Sequence, residues 1–438
     1  MPADLAITGG VVLDARSAPV AWRGRTADLG EPADVVVDGG RVVAVEPAGS
    51  GVAARRTLDA DGALVMPGFV DIQVHFRTPG APESETIASG CAAAAAGGVT
   101  ACVMMANTEP AIDSVEMVAE VMAAAVGAPC DVRTSAAVTV GRAGERTVDF
   151  AALHAAGVRV FTDDGDAVAD AELMAAALTA TTQLAGAVVS QHAEDPALVA
   201  GGVVNAGPVA ERLGVAGRPA EAEERIVARD IELARRTNGR YHVLHLSTAA
   251  ALRRVVAAKA EGLRVSAEVT PQHLVLTEDD VERLGTDAKM NPPLRRADDV
   301  AALRAGLVDG ALDAVATDHA PHHAAAKART LAEAPPGMIG VETMAAVLWT
   351  ELVADATMTP ARFVRVTSTA PAGIAGIAEH GRPVAVGEPA NLVVFDPHES
   401  WTVDRNRLHS RSVNTPWHGR TLGARPRHTI LRGVPVLV

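Results

Sequence analysis

The order of apolar and polar positions divides the chain into three parts. Near the start, Leu5-Ala6-Ile7-Thr8-Gly9-Gly10-Val11-Val12-Leu13-Asp14 and the run from Ala33 to Val45 are Val-rich and broken by Gly-Gly and Asp-Gly pairs. That is the pattern of short strands joined by tight turns. It returns at residues 390 to 396 and 429 to 438, which predicts one β-sandwich built from both ends of the chain. Residues 15 to 32 mix Gly, Pro and charge without periodicity and read as an exposed insertion.

Between these ends, short Val/Ala-rich runs alternate with longer helical patterns. Strands are expected near 69 to 75, 99 to 105, 131 to 139, 157 to 162, 187 to 192, 240 to 246, 263 to 269 and 312 to 318. Helices are expected between them, such as Glu221 to Arg236 and Ala249 to Ala260. Alternation of this kind makes a parallel sheet with crossover helices, and eight units fit a (β/α)8 TIM-type barrel better than an open sheet. The fold class is therefore α/β. Expected domains are 1–65 and 379–438, the two parts of the sandwich, and 66–378, the barrel.

Composition narrows the function classes. The chain has 438 residues, a size suited to one large barrel with a smaller appendage. Hydrophobic residues reach 48%, yet no run approaches the roughly 20 strongly apolar residues of a spanning helix. The N-terminus lacks a basic stretch followed by an apolar core, so a cytoplasmic location is expected. Cys91, Cys102 and Cys130 form no CxxC pair and fit a reducing compartment as buried small residues. A net charge of −14 argues against nucleic acid or an anionic membrane as partner, and a small-molecule substrate is expected.

Barrel enzymes place their chemistry where strands end. The predicted strands end in His75, in Asp163-Asp164-Gly165, in Gln191-His192-Ala193-Glu194-Asp195, in His245 and in Asp318-His319. Any one of these could be a loop hydrogen-bonder or a helix cap. Imidazoles and carboxylates converging on one rim are instead what a borderline metal such as Zn2+ requires. Gln73 and His75 lie two apart, so on a strand they share a face.

Seven motifs then show a resemblance: Pro67-Gly68-Phe69-Val70-Asp71, Arg77-Thr78-Pro79-Gly80, Glu85-Thr86-Ile87, Phe161-Thr162-Asp163-Asp164-Gly165, Ala267-Glu268-Val269-Thr270-Pro271, Met290-Asn291-Pro292-Pro293-Leu294-Arg295 and Ala316-Thr317-Asp318-His319-Ala320-Pro321-His322. The chain resembles class I bacterial dihydroorotases of the amidohydrolase superfamily along nearly its whole length. The resemblance implies a binuclear zinc site, with His192 and His245 on one ion, His75 and Asp318 on the other, and Asp164 rather than its neighbour Asp163 bridging them. It implies reversible cyclisation of N-carbamoyl-L-aspartate to L-dihydroorotate in pyrimidine biosynthesis, with Asp318 as general base and then general acid. The family's first histidine of strand one falls on Gln73, and this departure is expected to weaken the ion beside His75 and Asp318. Arg77, Asn107 and His322 are expected to bind the substrate carboxylate, and Asn291 and the backbone at Pro336-Gly337 the ring. The family usually carries proline at Ala106 and glutamate at Thr78.

A homo-oligomer is expected. Two other readings stand beside this one: a catalytically silent homologue acting as a scaffold, for example for aspartate transcarbamoylase, and an amidohydrolase for a hydantoin or allantoin. His154, His242, His273 and His323 read as structural, and His380, His398, His409, His418 and His428 as residues of C-terminal surface or sandwich segments.

Overall fold

In the computed structural model, which describes residues 2–437, the N-terminal part forms β1 (Ala3–Val12), β2 (Pro32–Asp38), β3 (Arg41–Pro47), β4 (Ala54–Asp59) and β5 (Leu64–Pro67). The barrel strands follow: β6 (Phe69–Val74), β7 (Val99–Met104), β8 (Asp131–Thr134), β9 (Val160–Phe161) and β10 (Val188–Gln191). A short parallel pair, β11 (Val204–Asn205) and β12 (Gly217–Arg218), leaves the barrel before β13 (Tyr241–Val243), β14 (Val265–Val269) and β15 (Ala314–Val315) complete it. The chain ends in β16 (Leu392–Asp396), β17 (Trp401–Thr402), β18 (Thr421–Leu422), β19 (Arg425–Leu431) and β20 (Val434–Leu437).

All eight predicted barrel strands are present, parallel to their neighbours and shorter than expected. β9 and β15 have only two residues, because the chain turns into site loops where a longer strand was expected. Isolated parallel bridges, Ala136 to Phe161 and Val74 to His319, join the two arcs of strands into a closed barrel. Both faces of these strands are covered, so they read as continuous apolar runs; every residue of β7 is buried. Val70, Ile72, Ala101, Val103, Val160, Val188 and Ala314 fill the interior, and Ala372, Ile374, Ala375 and Ile377 from the C-terminal helical region pack into the same cluster. The predicted helix at Ala249–Ala260 is observed with those bounds, started by the Thr248 side chain accepting from Ala251 N.

The two ends of the chain share one eight-stranded sheet through antiparallel pairing of β5 with β16. β3 in turn meets Pro389, so the sheet folds back over its own core of Leu5, Ile7, Val35, Val37, Leu392 and Ile430. The insertion at 15 to 32 is not wholly exposed. Trp22 is buried, with its ring 5.2 Å from Trp349 and 5.5 Å from His398. In a chain with only 3% aromatics, Trp22, Phe69, Trp349, Phe363 and Phe395 gather in one edge-to-face cluster between barrel and sheet. Among the described residues no helix is long and apolar enough to cross a membrane.

Candidate active site

Each predicted ligand sits just past the C-terminal end of a barrel strand: His75 after β6, Asp164 after β9, His192 after β10, His245 after β13 and Asp318 after β15. Parallel strands bring these ends to one rim. There, His192 Nδ1 lies 3.0 Å from His245 Nε2 and 3.6 Å from Asp164 Oδ1, and His245 Nε2 is 3.4 Å from that same oxygen. On the other side, His75 Nε2 lies 2.9 Å from Asp318 Oδ1 and 3.3 Å from Asp164 Oδ2. Two buried triads result, Asp164–His192–His245 and His75–Asp164–Asp318, with Asp164 common to both.

These residues fit a divalent metal. Bonds of about 2.0–2.2 Å in a tetrahedral shell separate donor atoms by roughly 3.3–3.6 Å, close to the spacings observed. Asp164 Oδ2 is buried without a hydrogen bond, a costly state that a cation there would relieve. Burial alone would raise the Asp164 carboxyl, but hydrogen bonds from His192 and His245 and the charges of His75 and His245 outweigh it and hold the group well below its ordinary value. His192 is opposed by burial yet pushed up to about 10 by Asp164 and Glu194. Asp164 is therefore held as a carboxylate, the form that ligates a cation.

The expectation that Gln73 marks a missing ligand is overturned. Residue 73 is glutamine, but both triads are complete without it, and its Nε2 donates to Asp164 Oδ1 at 3.2 Å. Asp163 faces elsewhere, accepting from Val138 N, Thr139 N and Thr139 Oγ1. Arg77, His245 and Asp318 all have positive φ, +53°, +30° and +50°, the kind of local strain that collects at functional sites.

A second layer orients the ligands. His75 Nδ1 pairs with Asn107 Oδ1 at 2.8 Å, and His192 Nε2 with Glu194 Oε2 at 3.1 Å. Arg218 Nη1 donates to that same Glu194 oxygen at 2.6 Å. In the orientation that satisfies both ends of its amide, Asn291 donates to the Met290 carbonyl and accepts from Arg218 Nη2 at 3.2 Å. The roles of Glu194 and Arg218 escaped the sequence reading because their partnership spans two loops with no local signature.

A cavity of about 200 Å³ opens over the triads. The structure brings Arg77, Asn107, Asn291, His322, Pro336 and Gly337 to its wall, together with Gly165 and Ala320, which the sequence did not suggest. Arg77 Nε donates to the Pro321 carbonyl at 3.1 Å. Burial lowers its guanidinium to about 10 against the pull of Asp318 and Asp164, so it stays charged at neutral pH. Burial and the charges of Arg77 and Lys327 push His322 down to about 3, so it is neutral. Its Nε2 carries the proton, because the partner at 2.8 Å is the Pro336 carbonyl, which only accepts.

The other histidines have structural partners. His154 meets the Ala185 carbonyl, His242 bonds Ser266 and Glu268, His273 bonds Thr270 and the Pro292 carbonyl, and His323 starts a short helix. His380, expected in a surface or sandwich segment, is buried between Thr100 Oγ1 and Asp131 Oδ2, 3.0 Å from each.

A (β/α)8 barrel with two His/Asp triads at its C-terminal rim is the architecture of a metal-dependent hydrolase of the amidohydrolase type. Residues 62–251 match the family model described as dihydro-orotase-like. The dihydroorotase of Streptomyces coelicolor is 44% identical over 421 residues, covering 95% of this chain and 97% of the relative. That of Mycobacterium tuberculosis is 44% identical over 410 residues, covering 92% and 94%. Among solved structures, the L-hydantoinase of Arthrobacter aurescens superposes with a TM-score of 0.87 at 25% identity, covering 99% of this chain and 96% of that one. The chain belongs to the dihydroorotase family, and its function is dihydroorotase-type hydrolysis and cyclisation of a cyclic amide. With both triads complete, the scaffold reading falls away.

Proposed function

We propose that the chain interconverts L-dihydroorotate and N-carbamoyl-L-aspartate with zinc held in both triads. The observation that carries this reading is a buried, charged Arg77 on the cavity wall, with His322 beside it; its guanidinium is suited to grip a carboxylate carried by the ring. Asn107 completes that grip, while Asn291 and the backbone of Pro336 and Gly337 face the ring. A zinc ion bound at the triads supplies Lewis acidity and lowers the pKa of water to about 7. Asp318 Oδ1 lies 2.9 Å from His75 Nε2, where the two would share the ion, and the side chain lines the cavity, so its carboxylate is placed to take the proton of the attacking water. It returns that proton to the ring nitrogen as the C–N bond breaks and the new C–O bond is made. Cyclisation runs the same transfers backwards.

The test is turnover of L-dihydroorotate by protein of measured zinc content, beside hydantoin and allantoin, which lack the ring carboxylate. Turnover of dihydroorotate alone, lost on chelation and regained with zinc, is expected. No turnover by zinc-loaded protein, or a preference for hydantoin, would refute the reading.

A further inference from the structure

The C-terminal segment between β17 and β18 crosses the mouth of the barrel and ties its loops together. Ser412 Oγ donates to the Ser84 carbonyl at 2.7 Å, and Ser410 Oγ and Arg411 N both reach the Glu85 carboxylate in the loop after β6. Asn414 goes further in. It is 2% exposed, and its side chain spans two loops that line the cavity. Oδ1 accepts from His322 N at 3.2 Å, and Nδ2 donates to the carbonyls of Ala320 at 3.0 Å and Gly337 at 3.1 Å. Its own carbonyl accepts from Ile339 N at 3.0 Å.

The turn that ends at Gly337 is gripped from its other side by two ammonium groups. Lys289 Nζ donates to the carbonyls of Leu331, Ala332 and Ala334, and Lys327 Nζ to those of Pro335 and Gly337. Neither lysine touches the main chain at His322. Asn414 is the side chain that bonds both this turn and the His322 backbone, and its planar amide fixes the distance between them. That distance has little slack: a Cβ added at Gly337 would lie 2.9 Å from His322 Nε2.

We propose that Asn414 is a positioning residue that sets His322 and Gly337 in register with Arg77 for binding the substrate carboxylate and ring. This rests on the substrate reading given above. Asn414 does not itself line the cavity and is far in sequence from every other site residue. A misplacement on the order of 1 Å at such a remove costs about 100-fold in a site of this kind.

The experiment uses full-length, zinc-loaded Asn414→Ala and Asn414→Asp. The aspartate keeps an acceptor for His322 N and loses both donations to Ala320 and Gly337. Both variants are expected to raise KM for dihydroorotate by roughly 10- to 100-fold, with kcat within about threefold of the parent and zinc content unchanged. An unchanged KM, or a fall in kcat with KM constant, overturns the proposal, as a merely structural role would give. The parent assayed in parallel keeps the two readings apart, because failure of the parent to turn over dihydroorotate refutes the substrate and not the contact. If neither variant folds, hydrogen exchange in the parent decides. The His322 amide is expected to be protected, and free exchange there overturns the role of Asn414.

Discussion

Replacing Gly337 by alanine loads the substrate turn with a single methyl group. Gly337 has φ of +132°, and the added Cβ would meet the Ala320 Cβ at 2.7 Å, His322 Nε2 at 2.9 Å and the Ala320 carbonyl at 3.0 Å. Backbone strain in that region costs about 1–3 kcal/mol, and overpacking against fixed neighbours about 1–3 kcal/mol more. The strain is expected to be relieved by moving Gly337 and His322 apart rather than by unfolding. If about 3 kcal/mol of this is lost from substrate binding, kcat/KM falls roughly 150-fold at 1.4 kcal/mol per decade. Gly310 supplies the control: it ends the helix Ala297–Asp309 with φ of +94°, and a Cβ there meets nothing within 4 Å. Gly310→Ala carries strain without collision, so it is expected to lower the denaturation midpoint and leave kcat/KM unchanged. Steady-state hydrolysis of dihydroorotate, with urea melts of both variants, reads the difference. A folded Gly337→Ala enzyme with kcat/KM within threefold of the parent would refute the reasoning.

Three further outcomes follow from the same geometry. Asp318→Asn removes the proton acceptor and is expected to lower kcat by about 10²–10⁴; a fall of less than tenfold in zinc-loaded protein would take Asp318 out of the proton transfer. His192→Ala breaks the Asp164–His192–His245 triad and is expected to lose metal, measured by elemental analysis, so a variant that binds as much as the parent contradicts the assignment. Asp131 gives a pH signature. Burial would raise its carboxyl, but hydrogen bonds and charge from His380 and Arg432 bring it down to about 2, below its value of roughly 4 in the unfolded chain. The stability it contributes is thus present above about pH 4 and lost as the pH falls toward 2. Asp131→Asn should flatten that part of the urea-stability profile, and an unchanged profile would exclude the group.

Sequence periodicity was enough for the eight barrel strands, for the helix at Ala249–Ala260 and for a sheet drawn from both ends, because each is a local pattern of burial. The strand-end His and Asp residues were legible for a related reason: a polar group straight after an apolar strand must face the rim. Gln73 was misjudged because motif spacing assigns that position a ligand, whereas His75, Asp164 and Asp318 complete their triad without it and Gln73 instead donates to Asp164. Trp22 was hidden in an aperiodic stretch whose partner, Trp349, lies far along the chain. Glu194, Arg218 and Asn414 act through partners on other loops, and no spacing rule joins residues that meet only after the barrel has closed.

The place of Asn414 in the chain has a consequence for the order of assembly. All five metal-binding side chains leave the ribosome by residue 318, well before Asn414 and before β16, β19 and β20. A nascent chain can therefore close its barrel and bring its ligands together while the substrate turn is still untethered and β5 still lacks its antiparallel partner. The triads are thus complete in synthesis before the segment that positions the substrate turn.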